Sequence, residues 1–241
     1  MFPYLQLGPL LLQLPPLMLL IGVWLATILV EKEAPRRGIA ADQAGNLLLI
    51  GLAGGVIGAR LAYAARYLNV YLADPLSLLA LNFTTLALPE GLLAGALAAT
   101  LYGARRKLPL RSMLDVLAPG AAVFMASLGL SHFFSGDAFG APLKGYPWAI
   151  YLWNEYRHPA QGYETLLALF ILAIIYFRLL RPRQAGVNFL WFVALSAAAR
   201  LFLEAFRGDS PLWPGGWRVP QVIAWFVLAF ALWAIRRWSR D

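Results

Sequence analysis

The sequence predicts an all-α integral membrane protein. Its expected form is seven transmembrane helices, an external N-terminus, a cytoplasmic C-terminus and one structured external loop. Three observations lead there. The first is composition: 61% of the 241 residues are hydrophobic and only 13% are charged, with a mean hydropathy of +0.65. A soluble domain carries about 25% charged residues. The second is a series of apolar stretches, each near the roughly 20 residues that a spanning helix needs. The third is the placement of basic residues, which alternates from one connection to the next. Lys32, Arg36 and Arg37 follow the first stretch, Arg105, Arg106, Lys107 and Arg111 the third, Arg178, Arg181 and Arg183 the fifth, and Arg236, Arg237 and Arg240 the seventh. Arg66, Lys144, Arg157, Arg207 and Arg218 lie on the other side. Basic residues gather on the cytoplasmic side of membrane proteins, so the larger set is cytoplasmic.

The spans are expected at about residues 10–30, 46–67, 76–103, 114–134, 161–180, 187–203 and 219–234. Residues 1–241 read as a single polytopic membrane domain, with an external loop at 135–160. The first span contains Pro15-Pro16, tolerable near a helix end. The third is long and broken around Pro89, which leaves Glu90 near its middle. The absence of cysteine excludes disulfides and any thiol chemistry of the chain's own. The net charge of +8 is accounted for by cytoplasmic loops, so nucleic acid is not an expected partner. Met1-Phe2-Pro3-Tyr4 carries no positive run, so no cleaved signal peptide is expected.

This topology sorts the polar residues by depth. The second, fourth and sixth spans run outward, which carries Arg60, His132, Arg200 and Glu204 toward the outer surface. The fifth span begins there, with Gln161 and Glu164. The external loop adds Asp137, Trp148, Trp153, Arg157 and His158, and its aromatic residues suit an ordered lid at the headgroup level. One polar cavity in the outer half of the membrane accounts for all of these groups.

Charged residues within membrane spans are costly and therefore informative. Arg60, within Gly54-Gly55-Val56-Ile57-Gly58-Ala59-Arg60, has two readings: a side chain snorkelling outward past Tyr63, or an anion ligand facing a cavity. The glycines beside it allow a neighbouring helix to come close. Arg200, Glu204 and Arg207 recur at helical spacing and are expected on one face. They form either a self-neutralising ladder or, with two arginines against one glutamate, a surplus charge that suits a phosphate. His158 precedes Pro159 and so belongs to the loop, where it serves as a general base or closes the loop by hydrogen bonding. His132, at the end of a span, is more readily structural. His132, Asp137 and His158 lack metal-ligand spacing, so no metal is expected.

Several stretches resemble the prolipoprotein diacylglyceryl transferases. Arg157-His158-Pro159-Ala160-Gln161-Gly162-Tyr163-Glu164 is similar to that family's Arg-His-Pro-Ser-Gln-x-Tyr-Glu motif. Gly58-Ala59-Arg60-Leu61-Ala62-Tyr63 resembles its Gly-x-Arg-Leu-x-Tyr stretch, and Arg200 to Arg207 its Arg-x-x-x-Glu-x-x-Arg helix. Leu7-Gly8-Pro9 and Gln221 match its opening and the start of its last span. Departures stand beside these matches. Pro89-Glu90-Gly91 occupies the place of a His-Gly-Gly signature, Gly129 that of an arginine, His132 that of an asparagine and Ser196 that of a tyrosine. A tyrosine of the family's first span is replaced by Pro15 or a neighbour, while Asp137 and Gly140 keep a loop acid and glycine.

The resemblance implies an enzyme of lipoprotein biosynthesis in the bacterial cytoplasmic (inner) membrane. It transfers the diacylglyceryl group of phosphatidylglycerol to the lipobox cysteine thiol of a prolipoprotein and releases glycerol phosphate. The implied partners are phosphatidylglycerol, prolipoprotein signal peptides and membrane lipid, with no cofactor. The implied catalytic set is His158, Arg200, Glu204 and His132. The implied substrate-binding set is Arg60, Arg157, Gln161, Tyr163, Glu164, Asp137, Gly140 and Arg207. With the signature histidine absent, His158 or His132 is the remaining imidazole for deprotonating the thiol. Two other classes stay open: a relative that binds anionic lipid or lipoprotein without turnover, and a small-anion transporter. The clustering of polar groups in the outer half weighs against the transporter, which needs them through the full depth.

Overall fold

The computed structural model describes residues 3–79, 85–179 and 184–239. Arg181, Arg183 and Arg240 of the predicted cytoplasmic set, and residues 80–84 of the third predicted span, lie outside the described residues. The chain begins with an antiparallel hairpin, β1 (Tyr4–Leu7) and β2 (Leu10–Gln13). Gly8, at φ 60°, and Pro9 supply its two-residue turn. Helix α1 (Leu14–Glu33) follows, with Pro15 and Pro16 in its first turn, where a missing backbone donor costs little. Next come α2 (Ala41–Arg66), the short α3 (Leu68–Ala73), a 3-10 turn at Pro75–Leu79, α4 (Leu88–Arg105) and α5 (Leu110–Ser135). A second hairpin, β3 (Ile150–Leu152) and β4 (Glu155–Arg157), precedes α6 (Ala160–Leu179), α7 (Val187–Glu204) and α8 (Val219–Trp238).

Among the described residues, six helices are long and apolar enough to cross a membrane: α1, α2, α5, α6, α7 and α8. Their outward faces are apolar too, as at Leu20 and Trp24 of α1 or Phe226 and Phe230 of α8, all exposed. Water would penalise such faces and lipid does not. The structure differs from the sequence reading in three places. The fold is helical but includes two β hairpins, and residues 10–13 of the first predicted span are strand. The third predicted span is not one helix: Pro75–Leu79 is a 3-10 turn and α4 starts at Leu88. Pro89 stands in the first turn of α4, because proline starts helices more readily than it continues them. Glu90 is therefore in that first turn and not in mid-span.

The chain divides into two compact units. One comprises Met1–Val30 with Leu114–Asp241. Its core joins Ala118 and Ala122 of α5 to Ile171 and Ile175 of α6, with Phe189, Phe192 and Leu195 of α7 packed against them. The start of α7 is held by a side chain from α5. Buried Asp115 accepts hydrogen bonds from the backbone N–H groups of Gly186 and Phe189, both at 2.9 Å, and so satisfies donors that a helix start leaves open.

The other unit, Glu31–Met113, is built on α2 against α4. Their contact is lined by Gly51, Gly54, Gly55 and Gly58 on α2 and by Gly91, Ala94, Gly95 and Ala98 on α4. Lipid offers no hydrophobic reward for helix association, so backbone-to-backbone packing through small residues supplies it. A Cβ at Gly95 would lie 2.7 Å from the Gly51 carbonyl oxygen and 3.2 Å from Gly55 Cα. Gly103 is looser, since a Cβ there would lie 3.4 Å from the end of the Leu47 side chain. We predict that Gly95→Leu lowers the thermal midpoint in detergent, by an overpacking cost of about 1–3 kcal/mol or more. Gly103→Ala should leave the midpoint nearly unchanged. Equal midpoints for the two variants would show that α2 and α4 are not held by this seam.

Candidate functional site

The first unit gathers most of the polar residues singled out above around the end of α5, the start of α6 and the end of α7. The connection from α5 to α6 is an ordered ribbon. β3 and β4 meet in a two-residue turn at Trp153 and Asn154, with φ of 55° and 62°. Both positions of such a turn require the left-handed region, which asparagine tolerates well and tryptophan poorly. The Trp153 indole N–H bonds the Gly136 carbonyl at 3.2 Å and ties the turn to the end of α5. β4 continues the ribbon on its other edge. Leu143 N donates to Tyr156 O at 2.7 Å and His158 N to Ala141 O at 3.0 Å. The same segment then pairs with the chain leaving α7, through Ala141 N to Phe206 O at 2.7 Å and Gly208 N to Phe139 O at 2.9 Å.

This ribbon explains two of the predicted residues. Gly140 sits where three chain segments converge, and a Cβ on it would lie 2.7 Å from His158 Cβ. Arg157 spends its donors inside the ribbon, on Leu152 O and Gly140 O, both at 3.2 Å, and on Glu155 Oε2 at 2.8 Å. Its guanidinium also lies over the Phe139 ring. Gln161, fully buried, donates from Nε2 to Asp137 O at 2.8 Å, so Asp137 is engaged through its backbone while the residue itself is exposed. His158 lies between β4 and α6. Its Nδ1 is 3.4 Å from the Tyr163 hydroxyl, and its ring packs edge-on against Phe206.

At the end of α7, Glu204 is fully buried. Arg200 Nη2 lies 2.9 Å from Glu204 Oε1, close enough for an ion pair but without hydrogen-bond alignment. The Ser210 hydroxyl donates to Glu204 Oε2, and Arg218 stands 3.9 Å from the same oxygen. Arg218 also donates to the carbonyls of Glu204 and of Arg207, which caps the C-terminus of α7 with a cation. Arg207 is not on the α7 face expected for it. The helix ends at Glu204, and Arg207 sits in a bridge to Gly140 with its guanidinium forked onto Asp209 at 2.9 and 2.8 Å. Glu164, in the first turns of α6, meets a side chain of α5. Its Oε2 lies 3.0 Å from His132 Nδ1.

The surplus charge expected of Arg200 and Arg207 is thus offset by Asp209, which helical spacing could not show. What remains available is donors. Arg157, Arg207 and Arg218 are hydrogen-bonded, whereas Arg200, with its side chain 34% exposed, donates no hydrogen bond among the described residues. Arg60 belongs to the other unit. It donates to the carbonyls of Ser77, Leu78 and Thr85 and to the Thr85 hydroxyl, and it lies over the Tyr71 ring. Glu90, which follows Pro89 in the stretch that takes the place of the His-Gly-Gly signature, pairs with Arg66 in that unit. Sequence reasoning passed over Ser210, Asp209 and Arg218. Arg218 left one signal, a basic residue on the side where few are placed.

The family model described as prolipoprotein diacylglyceryl transferase matches residues 4–237. A relative from Synechococcus elongatus named phosphatidylglycerol–prolipoprotein diacylglyceryl transferase is 30% identical over 243 residues, covering 94% of this chain and 83% of its own. One of the same name from another Synechococcus strain is 31% identical, covering 91% and 86%. One from Streptococcus pneumoniae is 28% identical, covering 90% and 86%.

The ribbon itself is open to test. Gly140→Ala should push the His158 segment away and loosen both ribbon edges. The amides of Ala141, Leu143 and His158 should then exchange hydrogen faster, while the core of α5 and α6 keeps its protection. Unchanged exchange at those three amides would mean that Gly140 does not hold the ribbon closed.

Proposed function

The chain belongs to the prolipoprotein diacylglyceryl transferase family, and from that premise we propose that it transfers a diacylglyceryl group from phosphatidylglycerol to the lipobox cysteine thiol of prolipoproteins, releasing glycerol phosphate. The observation that supports this most is Arg200. A guanidinium with open donors at the end of an apolar helix is an unusual expense in a membrane protein. It suits a phosphate that gains charge as the glyceryl carbon–oxygen bond breaks, because preorganised donors are worth most where charge develops. Glu204 holds Arg200 in place from beneath. The ribbon carrying Arg157, His158 and Gly140 forms one wall of the binding site, with Gln161, Tyr163 and Glu164 at its base. Asp137 and Arg207 order that wall, the first through Gln161 and the second through Gly140. Arg60, in the other unit, donates to the carbonyls of Ser77, Leu78 and Thr85, and phosphate contact is its second expected role.

The membrane in question is the bacterial cytoplasmic (inner) membrane. Seven spans cross it, α4 being the third, with the N-terminus and residues 135–160 outside and the C-terminus in the cytoplasm. The basic-residue bias supports this orientation. The absence of cysteine makes the orientation easy to read. Lys144→Cys, in the exposed loop, should react with an impermeant maleimide on intact cells, and Ser239→Cys only after permeabilisation. The reverse pattern would invert the topology.

Activity is tested with purified full-length protein, phosphatidylglycerol and a lipobox peptide. The expected outcome is a peptide heavier by one diacylglyceryl group, with glycerol phosphate released in step. Arg200→Gln should lower the turnover rate about 10²–10³-fold, as loss of a transition-state donor does. Binding of phosphatidylglycerol by the wild type with no product formed would favour the lipid-binding relative over the enzyme.

A further inference from the structure

We propose that His132 is the proton acceptor for the attacking thiol and that Glu164 is the residue that positions it; this rests on the transferase reading above. The pair is produced by a close helix crossing. Gly129 of α5 faces Thr165 of α6 so tightly that a Cβ on Gly129 would lie 2.9 Å from Thr165 N and 3.2 Å from its Cα. His132 is one turn further along the same face of α5, and Glu164 precedes Thr165. The crossing therefore sets imidazole against carboxylate, at 3.0 Å from Nδ1 to Oε2.

The chemistry of the pair follows from its donors and acceptors. An ionised carboxylate only accepts, so Nδ1 carries the proton and Nε2 keeps the lone pair. Nε2 has no partner among the described residues. The carboxylate holds the ring in one orientation and stabilises the imidazolium once Nε2 has taken a proton. His158 lacks that support. Its Nδ1 neighbour is a neutral phenol at 3.4 Å, its ring is packed against Phe206, and its backbone N–H and C=O are both used, by Ala141 and Ala160. His158 anchors the ribbon.

The charged group that contacts His132 is Glu164, from α6. In the reaction, the thiol proton passes to His132 Nε2. The sulfur electron pair forms the bond to the terminal glyceryl carbon, and the carbon–oxygen bond to phosphate breaks with its pair on oxygen. Glycerol phosphate leaves with one more negative charge beside Arg200, and the imidazolium returns the proton to a phosphate oxygen. No other reactant is consumed.

The test compares two lipobox peptides on the full-length protein with phosphatidylglycerol, one with cysteine and one with selenocysteine at the acceptor position. A selenol is ionised at neutral pH and needs no base. With the thiol, His132→Gln should lose about 10²-fold or more in rate, and Glu164→Gln, which keeps a hydrogen bond but not the charge, a smaller part of it. With the selenol, both variants should return to within about tenfold of the wild type. His132→Asn, which restores the residue usual in the resemblance, is a second variant expected to behave like His132→Gln. Equal losses on both peptides would make the dyad structural and overturn the proposal, as would selenol rescue confined to His158→Gln. Wild-type protein that modifies neither peptide would instead overturn the transferase reading, and the dyad's role with it.

Discussion

A carboxylate without access to water, that of Glu204, has to be paired where it stands. Breaking such a pairing by removing one partner costs about 3–5 kcal/mol, so its neighbours are not free to move. Arg200 is held one turn back on α7, Ser210 is brought in from the following loop, and Arg218 is drawn from the start of α8. Arg218 then also caps α7, so one buried charge fixes a helix end, a loop and the entry of the next helix. The candidate site includes Arg200, which this pairing holds while its side chain stays partly exposed.

The ribbon between α5 and α6 solves a different problem. A long connection beside a membrane must satisfy its backbone polar groups, since nothing apolar will do it. Here the chain pairs with itself and with the residues leaving α7, and Arg157 takes up the carbonyls of Leu152 and Gly140. Close pairing at Gly140 is what lets His158 sit at the edge of the site without being free to swing. Aromatic residues on the exposed side of the ribbon, Tyr146, Trp148 and Trp153, suit the headgroup layer.

The second unit rests on packing, not on charge. Glycine and alanine line the contact of α2 with α4, which brings backbones together where no large side chain could fit. Two of its arginines are held locally, Arg66 by Glu90 and Arg60 by the carbonyls of Ser77 and Leu78.

What the sequence determined alone is what depends on composition and on short range. Apolar runs of spanning length mark α1, α2, α5, α6, α7 and α8, because a bilayer admits little else. Pro159 keeps His158 out of α6, since the residue before proline avoids helix. Arg200 and Glu204 pair because one helical turn separates them. Other features were decided by tertiary structure. Helical spacing placed Arg207 beside Glu204, but the helix stops at Glu204 and Arg207 turns to Asp209. Nothing near Glu164 in the chain points to His132, which lies 32 residues away and is delivered by the helix crossing at Gly129. Pattern along a chain reports on neighbours one turn apart. Which carboxylate meets which cation across the bundle is set by how closely two helices can approach, and a glycine's missing side chain decides that only when its opposite helix is known.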